Sequence, residues 1–391
     1  MRAAAVALVG LVLACAAGAG NQAPRLTAEP PSGLLDEPLR LTVAGAPTRA
    51  RVVVRASSRA EDGRLWVASR TVLADGSGRV ELRNGGALLS ALTPRRGSTT
   101  FLVPRRIALE ARSGGRLLGR ATVTRRTAAP ELVTRTLTVA SDGLAGRFTA
   151  LPGQAGPAVL YLGGSEGGTP FAAAAELYAS RGFPTLALAY FREPGLPRDF
   201  ANIPLEYFES ALRWLGRQPG VDPTRIVVHG ASRGGEAALL LGATYPQLVA
   251  GVVSYAGSSV VNPSIRKTAA AWTLDGKPVE RVDNADLGNP RPASGRGVIR
   301  VERIDGPVLL VSGLSDLLWP SGGYAAAIAE RRKAAGLATT SLTSLSAGHF
   351  VGAALPNLAV SALGGTREGD AALRSRAWPR ALALLRGLRA P

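Results

Sequence analysis

Residues 225–241 read RIVVHGASRGGEAALLL, and they indicate which fold most of the 391-residue chain adopts. An apolar strand pattern leads into GASRG at 230–234, and a helical pattern follows at once. A G-x-S-x-G sequence between a strand and a helix is typical of a nucleophile elbow, a sharp turn that exposes the serine hydroxyl. The small residues on both sides keep side chains away from the neighbouring strand and helix. The sequence therefore predicts that Ser232 is a catalytic nucleophile.

Apolar runs and helical segments alternate on both sides of this stretch. Uninterrupted apolar strands are covered on both faces, as in a parallel sheet. We therefore predict an α/β fold over residues 131–391, with the mostly parallel, doubly wound sheet of the α/β-hydrolase type. Residues 256–305 interrupt the pattern as a Gly- and Pro-rich insertion, which we expect to form part of a lid. The apolar runs lie at 158–162, 185–190, 226–228, 249–253 and 308–311, and the helical segments at 171–181, 204–217, 234–245 and 322–336.

Residues 25–128 follow a different pattern, in which short alternating strands are separated by Gly-containing turns. Strand candidates lie at 51–56, 66–69 and 107–111. Several short strands at this spacing predict a β-sandwich, and we expect an immunoglobulin-like one. No cluster of ionisable residues stands out in this part, which therefore reads as a structural or docking module.

A serine nucleophile needs a base, and the chain has only two histidines. His229 lies three residues before Ser232, in the strand itself, and cannot fold back to the hydroxyl. We therefore expect His229 to be buried. His349 lies late in the chain on a predicted loop, and it is the candidate base.

The acid that orients this histidine is expected between the serine and the histidine in chain order. Asp316 follows the apolar run at 308–311, at the carboxyl edge of the sheet, where such sites lie. The other aspartates in this interval fall in the insertion or at the opposite end of the strand. Asp316 is therefore the predicted third member of a Ser-His-Asp triad.

Two backbone N–H groups should stabilise the oxyanion of a tetrahedral intermediate. One is expected from Arg233, the residue after the nucleophile. The other is expected from the loop GGSEGG at 163–168, where we assign it to Ser165, with Gly164 as the alternative. The loop lacks the Lys-Ser/Thr signature of a phosphate-binding P-loop, which disfavours that role.

The charge balance is basic, with 46 Lys and Arg against 28 Asp and Glu and a net charge of +18. The arginines are dispersed, and neither a zinc-finger spacing nor the aromatic-basic pattern of an RNA-binding module is present. Nucleic acid is therefore not an expected partner. One cysteine and two histidines exclude a cysteine-based zinc cluster and a histidine-rich metal site. We predict a small-molecule substrate, with no metal and no cofactor.

Residues 1–20 read MRAAAVALVGLVLACAAGAG, the order of a secretory signal peptide: a basic start, an apolar segment and small residues. Ala17-Gly18-Ala19 fits one cleavage signal. VLAC at 12–15 resembles the lipobox of bacterial lipoproteins, in which Cys15, the only cysteine, carries the lipid and forms a membrane tether. We predict an exported protein, either periplasmic, extracellular or lipid-anchored. The alternative is a cytoplasmic protein whose start codon is wrongly assigned.

Motifs in both parts of the chain resemble those of the acyl-CoA thioester hydrolase and bile acid-CoA:amino acid N-acyltransferase family. The resemblance implies that the family's triad falls on Ser232, Asp316 and His349, and that the substrates are acyl-CoA thioesters. It also implies hydrolysis, because in this family a serine nucleophile goes with hydrolysis and a cysteine with transfer to amino acids. The similar stretches are 26–82 in the N-terminal β-sandwich, and 161–168, 187–191, 204–209, 229–240, 314–320, 347–349 and 377–380 in the C-terminal part.

These patterns together predict a serine hydrolase that cleaves acyl thioesters through an acyl-serine intermediate. The leader favours one alternative, an exported carboxylesterase acting on a non-CoA ester, because coenzyme A is an intracellular thiol. An acyl-CoA:amino acid N-acyltransferase is a second alternative. A cell-surface binding module with an inactive hydrolase domain is a third, and the complete triad argues against it.

Overall fold

The computed structural model describes residues 23–95, 101–103, 105–169, 172–266, 269–353, 355–360 and 363–388. The predicted leader, including Cys15, lies outside the described residues. Of the helices within these ranges, none has the length and apolar character of a membrane span.

The N-terminal part forms two sheets around a single core. One antiparallel sheet has the order β1-β3-β6, and the second has the order β2-β10-β9-β4-β5-β7, with a parallel pair only between β2 and β10. Leu41, Val54 and Ile107 are among the side chains from both sheets that meet in this core. The elements are β1 (Arg25–Glu29), β2 (Ser32–Leu34), β3 (Arg40–Ala44), β4 (Arg51–Arg59), β5 (Leu65–Leu73), β6 (Val80–Leu82), α1 (Gly86–Ser90), β7 (Thr93–Pro94), β8 (Phe101–Leu102), β9 (Arg106–Ser113) and β10 (Arg116–Arg126).

The predicted strands at 51–56, 66–69 and 107–111 fall within β4, β5 and β9. The immunoglobulin-like connectivity and the domain boundaries remain predictions.

The C-terminal part alternates strands and helices, as the sequence predicts. Its elements are β11 (Val133–Leu137), α2 (Val139–Asp142), β12 (Ala145–Ala150), β13 (Gly156–Leu162), α3 (Ala172–Ser180), β14 (Thr185–Ala189), β15 (Ile203–Pro204), α4 (Leu205–Gly216), β16 (Val221–Ala231), α5 (Arg233–Thr244), β17 (Gly251–Tyr255), β18 (Trp272–Leu274), β19 (Lys277–Pro278), β20 (Val308–Gly313), α6 (Ser321–Ala334), β21 (Thr339–Ser344), β22 (Ala359–Val360) and α7 (Arg367–Gly387), with 3-10 helices at Asn284–Asp286, Val301–Arg303 and His349–Ala353.

The central sheet has the order β11-β12-β14-β13-β16-β17-β20-β21. Only β12 runs antiparallel to its neighbours, and the strands from β14 to β21 are parallel. This arrangement confirms the predicted α/β-hydrolase architecture. Because parallel strands end at the same edge, the residues that follow β13, β16 and β20 meet at one place.

Helices cover both faces of this sheet, and the alternation of side chains along β16 shows how. Val228 packs into the core formed with α4, α5 and α6, whereas Val227 packs into the core formed with α3 and α7. A strand buried on both faces reads as a continuous apolar run, which explains why these strands are visible in the sequence.

Asp36 joins the two parts of the chain. Its carboxylate is hydrogen-bonded to the guanidinium of Arg181, just after α3, with Nε 2.8 Å from Oδ2. The indole Nε1 of Trp378 in α7 donates to the same oxygen at 2.9 Å. Leu35, next to Asp36, is buried in the core beneath α3 and α7. These contacts fix the N-terminal part to the face of the central sheet that α3 and α7 cover.

The insertion at 256–305 is more ordered than its sequence suggests. β18 and β19 form a small sheet with β15, which precedes α4. Trp272 in β18 is fully buried in the main core. Trp272 and the small sheet therefore anchor the insertion to the main core of the C-terminal part.

His229 lies in β16 and is buried, as predicted. Its Nδ1 is 2.9 Å from the hydroxyl of Tyr178, and its ring stacks on Tyr255 with centroids 4.8 Å apart. Burial lowers the pKa of His229 to about 3. The folded protein therefore holds this histidine neutral.

We expect His229→Phe to make the protein less sensitive to acid. The unfolded chain takes up a proton on His229 below about pH 6.5, whereas the folded chain resists this until about pH 3. Stability is therefore lost as the pH falls through this window. Between pH 7 and pH 4 the unfolding free energy of the wild type should fall by about 3 kcal/mol more than that of the variant, as measured by urea denaturation. Parallel pH profiles would contradict this account.

Candidate active site

Ser232 occupies the sharp turn between β16 and α5. Its φ is 55° and its ψ is −119°, in the left-handed region that disfavours residues other than glycine. The Ser232 N–H donates to the carbonyl of Tyr255 at 2.8 Å, at the end of the neighbouring strand β17. Strained backbone of this kind persists only where the surrounding structure holds it, and it concentrates at functional sites.

The glycines of the G-x-S-x-G sequence are required by contact with backbone atoms. A β-carbon on Gly230 would lie 1.9 Å from the Gly234 carbonyl oxygen. A β-carbon on Gly234 would lie 2.1 Å from the carbonyl oxygen of Gly163, at the end of β13. Neither overlap can be relieved by rotating a side chain, so the turn excludes larger residues at both positions.

The structure brings the three predicted residues of the triad together in one hydrogen-bonded chain. His349 Nε2 is 3.0 Å from Ser232 Oγ, and His349 Nδ1 is 2.8 Å from Asp316 Oδ2. The side chains of His349 and Asp316 are only 7% and 1% exposed. Asp316 Oδ1 also accepts from the backbone N–H groups of Leu318 and Trp319. The aspartate is thus fixed at both oxygens.

The glycine-rich loop at 163–168 approaches Ser232 closely. A β-carbon on Gly164 would lie 3.3 Å from Ser232 Cβ. The hydroxyl of Tyr190 lies within hydrogen-bond distance of the carbonyl oxygens of both Gly163 and Gly164, at 2.7 and 2.8 Å, and its shared hydrogen bond fixes the loop. Arg233 is the first residue of α5, where N–H groups have no acceptor within the helix. The loop and the start of α5 therefore both lie beside Ser232, and the choice between Ser165 and Gly164 remains a prediction.

Several known proteins are similar to this chain. The family model "BAAT / Acyl-CoA thioester hydrolase C terminal" matches residues 203–385. Rat acyl-coenzyme A thioesterase 1 is 30% identical over 81% of this chain and 82% of its own length. Mouse peroxisomal succinyl-coenzyme A thioesterase is 29% identical with the same coverage. Among solved structures, a dienelactone hydrolase-like promiscuous phosphotriesterase from metagenomic libraries aligns with 66% of this chain and all of its own, with 18% identity and a TM-score of 0.46.

The chain belongs to the acyl-CoA thioester hydrolase/BAAT family. The resemblance in the sequence is thereby confirmed. It extends through both parts of this family member, since the relatives align with about four fifths of the chain.

Two residues of α7 fix the loop that carries His349 in this family member, and no sequence motif pointed to them. Asp370 Oδ1 accepts from the N–H of Gly348 at 2.7 Å. Arg374, one turn later, donates to the carbonyl oxygens of Phe350, Leu355 and Leu358 at 2.8 to 3.1 Å. Both side chains are fully buried. Burial raises the pKa of Asp370 to about 6 and lowers the pKa of Arg374 to about 10.

A second buried network joins the nucleophile elbow to the insertion. The Arg233 guanidinium pairs with Glu236 at 2.8 Å and donates to the carbonyl oxygens of Asn262 and Pro263. Glu236 also accepts from the Asn262 amide and from the indole N–H of Trp272. Burial raises the pKa of Glu236, and the charge of Arg233 opposes this shift. The Arg233 side chain therefore holds the insertion against the start of α5.

A cavity of about 290 Å³ opens beside Ser232. The insertion supplies one wall, formed by residues 262–265 and Leu287. The segment after β20 supplies another, formed by Leu318 and Trp319, and Ser165 also lines the cavity. The insertion thus takes the position expected of a lid. Within the described residues no group of three or more His, Cys, Asp or Glu side chains is arranged to hold a metal ion.

We expect Asp370→Ala to lower kcat by between about 10- and 100-fold, because His349 loses the fixed position that its reaction geometry requires. KM should change little, since Asp370 does not contact the cavity. Asp370→Asn keeps an oxygen for the Gly348 N–H and should retain most of the activity. Arg376→Gln, an exposed change on the same helix, is the control. Steady-state kinetics on the folded variants test this, and equal kcat values for Asp370→Ala and wild type would contradict it.

Proposed function

We propose that the protein is a serine hydrolase that cleaves acyl thioesters. The single observation that carries the proposal is the hydrogen-bonded chain from Ser232 through His349 to Asp316. The protein belongs to a family in which the members similar to it include acyl-coenzyme A thioesterases. The fold, the elbow and the buried aspartate all support the same reaction class.

In the acylation step, Ser232 Oγ attacks the carbonyl carbon of the substrate while His349 Nε2 takes the hydroxyl proton. Asp316 holds the imidazole through Nδ1 and stabilises the positive charge that forms on it. The N–H groups of Arg233 and Ser165 stabilise the oxyanion, with Gly164 as the alternative to Ser165. The tetrahedral intermediate then collapses, and His349 returns the proton to the leaving thiol.

In the deacylation step, water attacks the acyl-serine as His349 takes a proton from it. The second tetrahedral intermediate collapses, His349 returns the proton to Ser232 Oγ, and the carboxylic acid is released. The residues of the chain supply each proton transfer, so this sequence of steps requires neither a cofactor nor a metal. Acyl-CoA thioesters are the proposed substrates, on the strength of the relatives.

The second candidate is an exported carboxylesterase that acts on a non-CoA ester, and the predicted leader at residues 1–20 favours it. The two candidates share the acyl-serine chemistry and differ in the leaving group. Hydrolysis of matched acyl-CoA and nitrophenyl-ester series by protein lacking residues 1–20 separates them.

We also propose that residues 25–128 form an immunoglobulin-like sandwich, supported by the two sheets and their shared core.

We expect Ser232→Ala to fold normally and to lose on the order of 10⁶ in kcat, because the nucleophile is absent. His349→Ala should lose a similar factor, whereas His229→Phe should keep its activity at neutral pH. Labelling with a fluorophosphonate probe should disappear in Ser232→Ala and persist in His229→Phe. Loss of activity in folded His229→Phe, together with an active His349→Ala, would overturn the assignment of the triad.

We expect a free carboxylic acid as the product, even with excess glycine or taurine present. An oxyester on serine is less reactive toward amines than a thioester on cysteine, and the nucleophile here is Ser232. Mass spectrometry of the products tests this. An N-acyl amino acid as the main product would make the protein an N-acyltransferase.

We propose that the leader is removed on export and that Cys15 is lipidated, forming a membrane tether. Intact mass spectrometry of the protein from its native host should show a chain that begins at Cys15 with added acyl groups. A chain that begins at residue 20 would contradict lipidation and leave export intact. A cytosolic chain that still begins at Met1 would contradict both.

A further inference from the structure

Large hydrophobic side chains are exposed mainly at the catalytic edge of the protein. Among the described residues, nine such side chains are exposed, and five of them lie at this edge: Ile265, Leu314, Leu317, Leu318 and Leu345. We call these five the apolar rim. Leu317 and Leu345 are each 79% exposed. The other four, Val53, Leu73, Leu117 and Val133, are scattered over strands of the N-terminal part and β11.

The apolar rim includes residues that line the cavity and residues that follow β20 and the edge strand β21. Ile265 and Leu318 line the cavity beside Ser232. Leu314 follows β20 and Leu345 follows β21, at the end where Gly313 and Ser344 are paired. The Leu314 N–H donates to the carbonyl of Ser344, and the Ser315 hydroxyl donates to that of Leu345. The loops that carry the rim are therefore bonded to each other.

The turn that presents the rim is held by the buried carboxylate of Asp316. Oδ1 of Asp316 accepts from the N–H groups of Leu318 and Trp319. This contact points residues 317 and 318 outward while Asp316 itself points inward to His349. Large apolar side chains exposed together at one edge indicate an interaction site, because leaving them in water is unfavourable.

We propose that the apolar rim docks on the surface of an anionic lipid bilayer, with the mouth of the active site facing the lipid. The net charge of +18 favours an anionic bilayer over a second copy of the chain as the occupant of the rim. A second copy of the chain carries the same charge and is repelled, whereas an anionic surface attracts it. Leucines that enter the boundary between headgroups and acyl chains then add apolar burial to this attraction. This inference goes beyond the proposed hydrolysis, because docking does not require a working triad.

The test is sedimentation with vesicles of phosphatidylcholine and phosphatidylglycerol, compared with vesicles of phosphatidylcholine alone. Protein lacking residues 1–20 retains every described strand and helix, and it removes the apolar leader as a competing membrane contact. The test variant is Leu317→Ser/Leu345→Ser, which leaves the cavity-lining residues unchanged. The matched control is Leu73→Ser/Val133→Ser, which removes exposed apolar side chains far from this edge in the fold.

We expect the wild type to bind the anionic vesicles, the test variant to bind them at least about tenfold more weakly, and the control to stay within about twofold of wild type. Hydrolysis of a soluble short-chain nitrophenyl ester should be the same in wild type and both variants. Ser232→Ala should bind vesicles like wild type, so that failure of the proposed chemistry and failure of docking are distinguished.

Three results would overturn the proposal. The wild type could fail to bind the anionic vesicles, or the control could lose as much binding as the test variant. The test variant could also keep its vesicle binding while it changes the oligomeric state in size-exclusion chromatography or raises KM for long acyl chains. In that last case a second copy of the chain or the acyl chain of the substrate covers the rim.

Discussion

The close packing of backbone on backbone at Ser232 is the constraint on which the rest of the structure depends. Gly234 lies against the end of β13, and the Ser232 N–H is bonded to the end of β17. The strands β13, β16 and β17 therefore have to end at the same edge of the sheet for Ser232 to be exposed at the turn. The parallel order of the sheet meets this condition, since all three strands run in the same direction. The positive φ of Ser232 is held by these contacts and costs about 1–3 kcal/mol, which the rest of the fold supplies.

Charge is buried around this turn only where it is paired or hydrogen-bonded. Asp316 faces His349, Glu236 faces Arg233, and Asp370 and Arg374 each bond to the backbone of the histidine loop. Buried pairs add little to stability, because desolvation offsets their attraction, but removing one partner is costly. Here these buried contacts hold the elbow, the insertion and the histidine loop each in a single conformation. The large positive charge of the chain therefore resides outside the site.

The parts of the fold and the site that were visible in the sequence are those with a local cause. The elbow has backbone contacts that demand glycine, and the buried parallel strands are continuous apolar runs, so both leave a pattern. β21 reads TTSLTS and was not predicted, because an edge strand with exposed side chains carries no apolar run. Asp370, Arg374 and Glu236 were also missed. Apart from the pair of Glu236 with Arg233, their side-chain contacts join residues 16 to 36 positions apart, and nothing in their own segments distinguishes them from surface charges.

Asp316 connects the chemistry of the site to its surroundings. One oxygen orients His349, and the other holds the turn that carries Leu317 and Leu318. A carboxylate bonded only to the histidine would be free to rotate, whereas two backbone N–H groups on the second oxygen fix its plane. The same two bonds require the turn to fold back tightly, and a tight turn at the sheet edge projects its outer side chains into solvent. The geometry that fixes Asp316 against His349 therefore also creates the exposed Leu317 and Leu318, and apolar surface at the mouth of the cavity follows from how this aspartate is held.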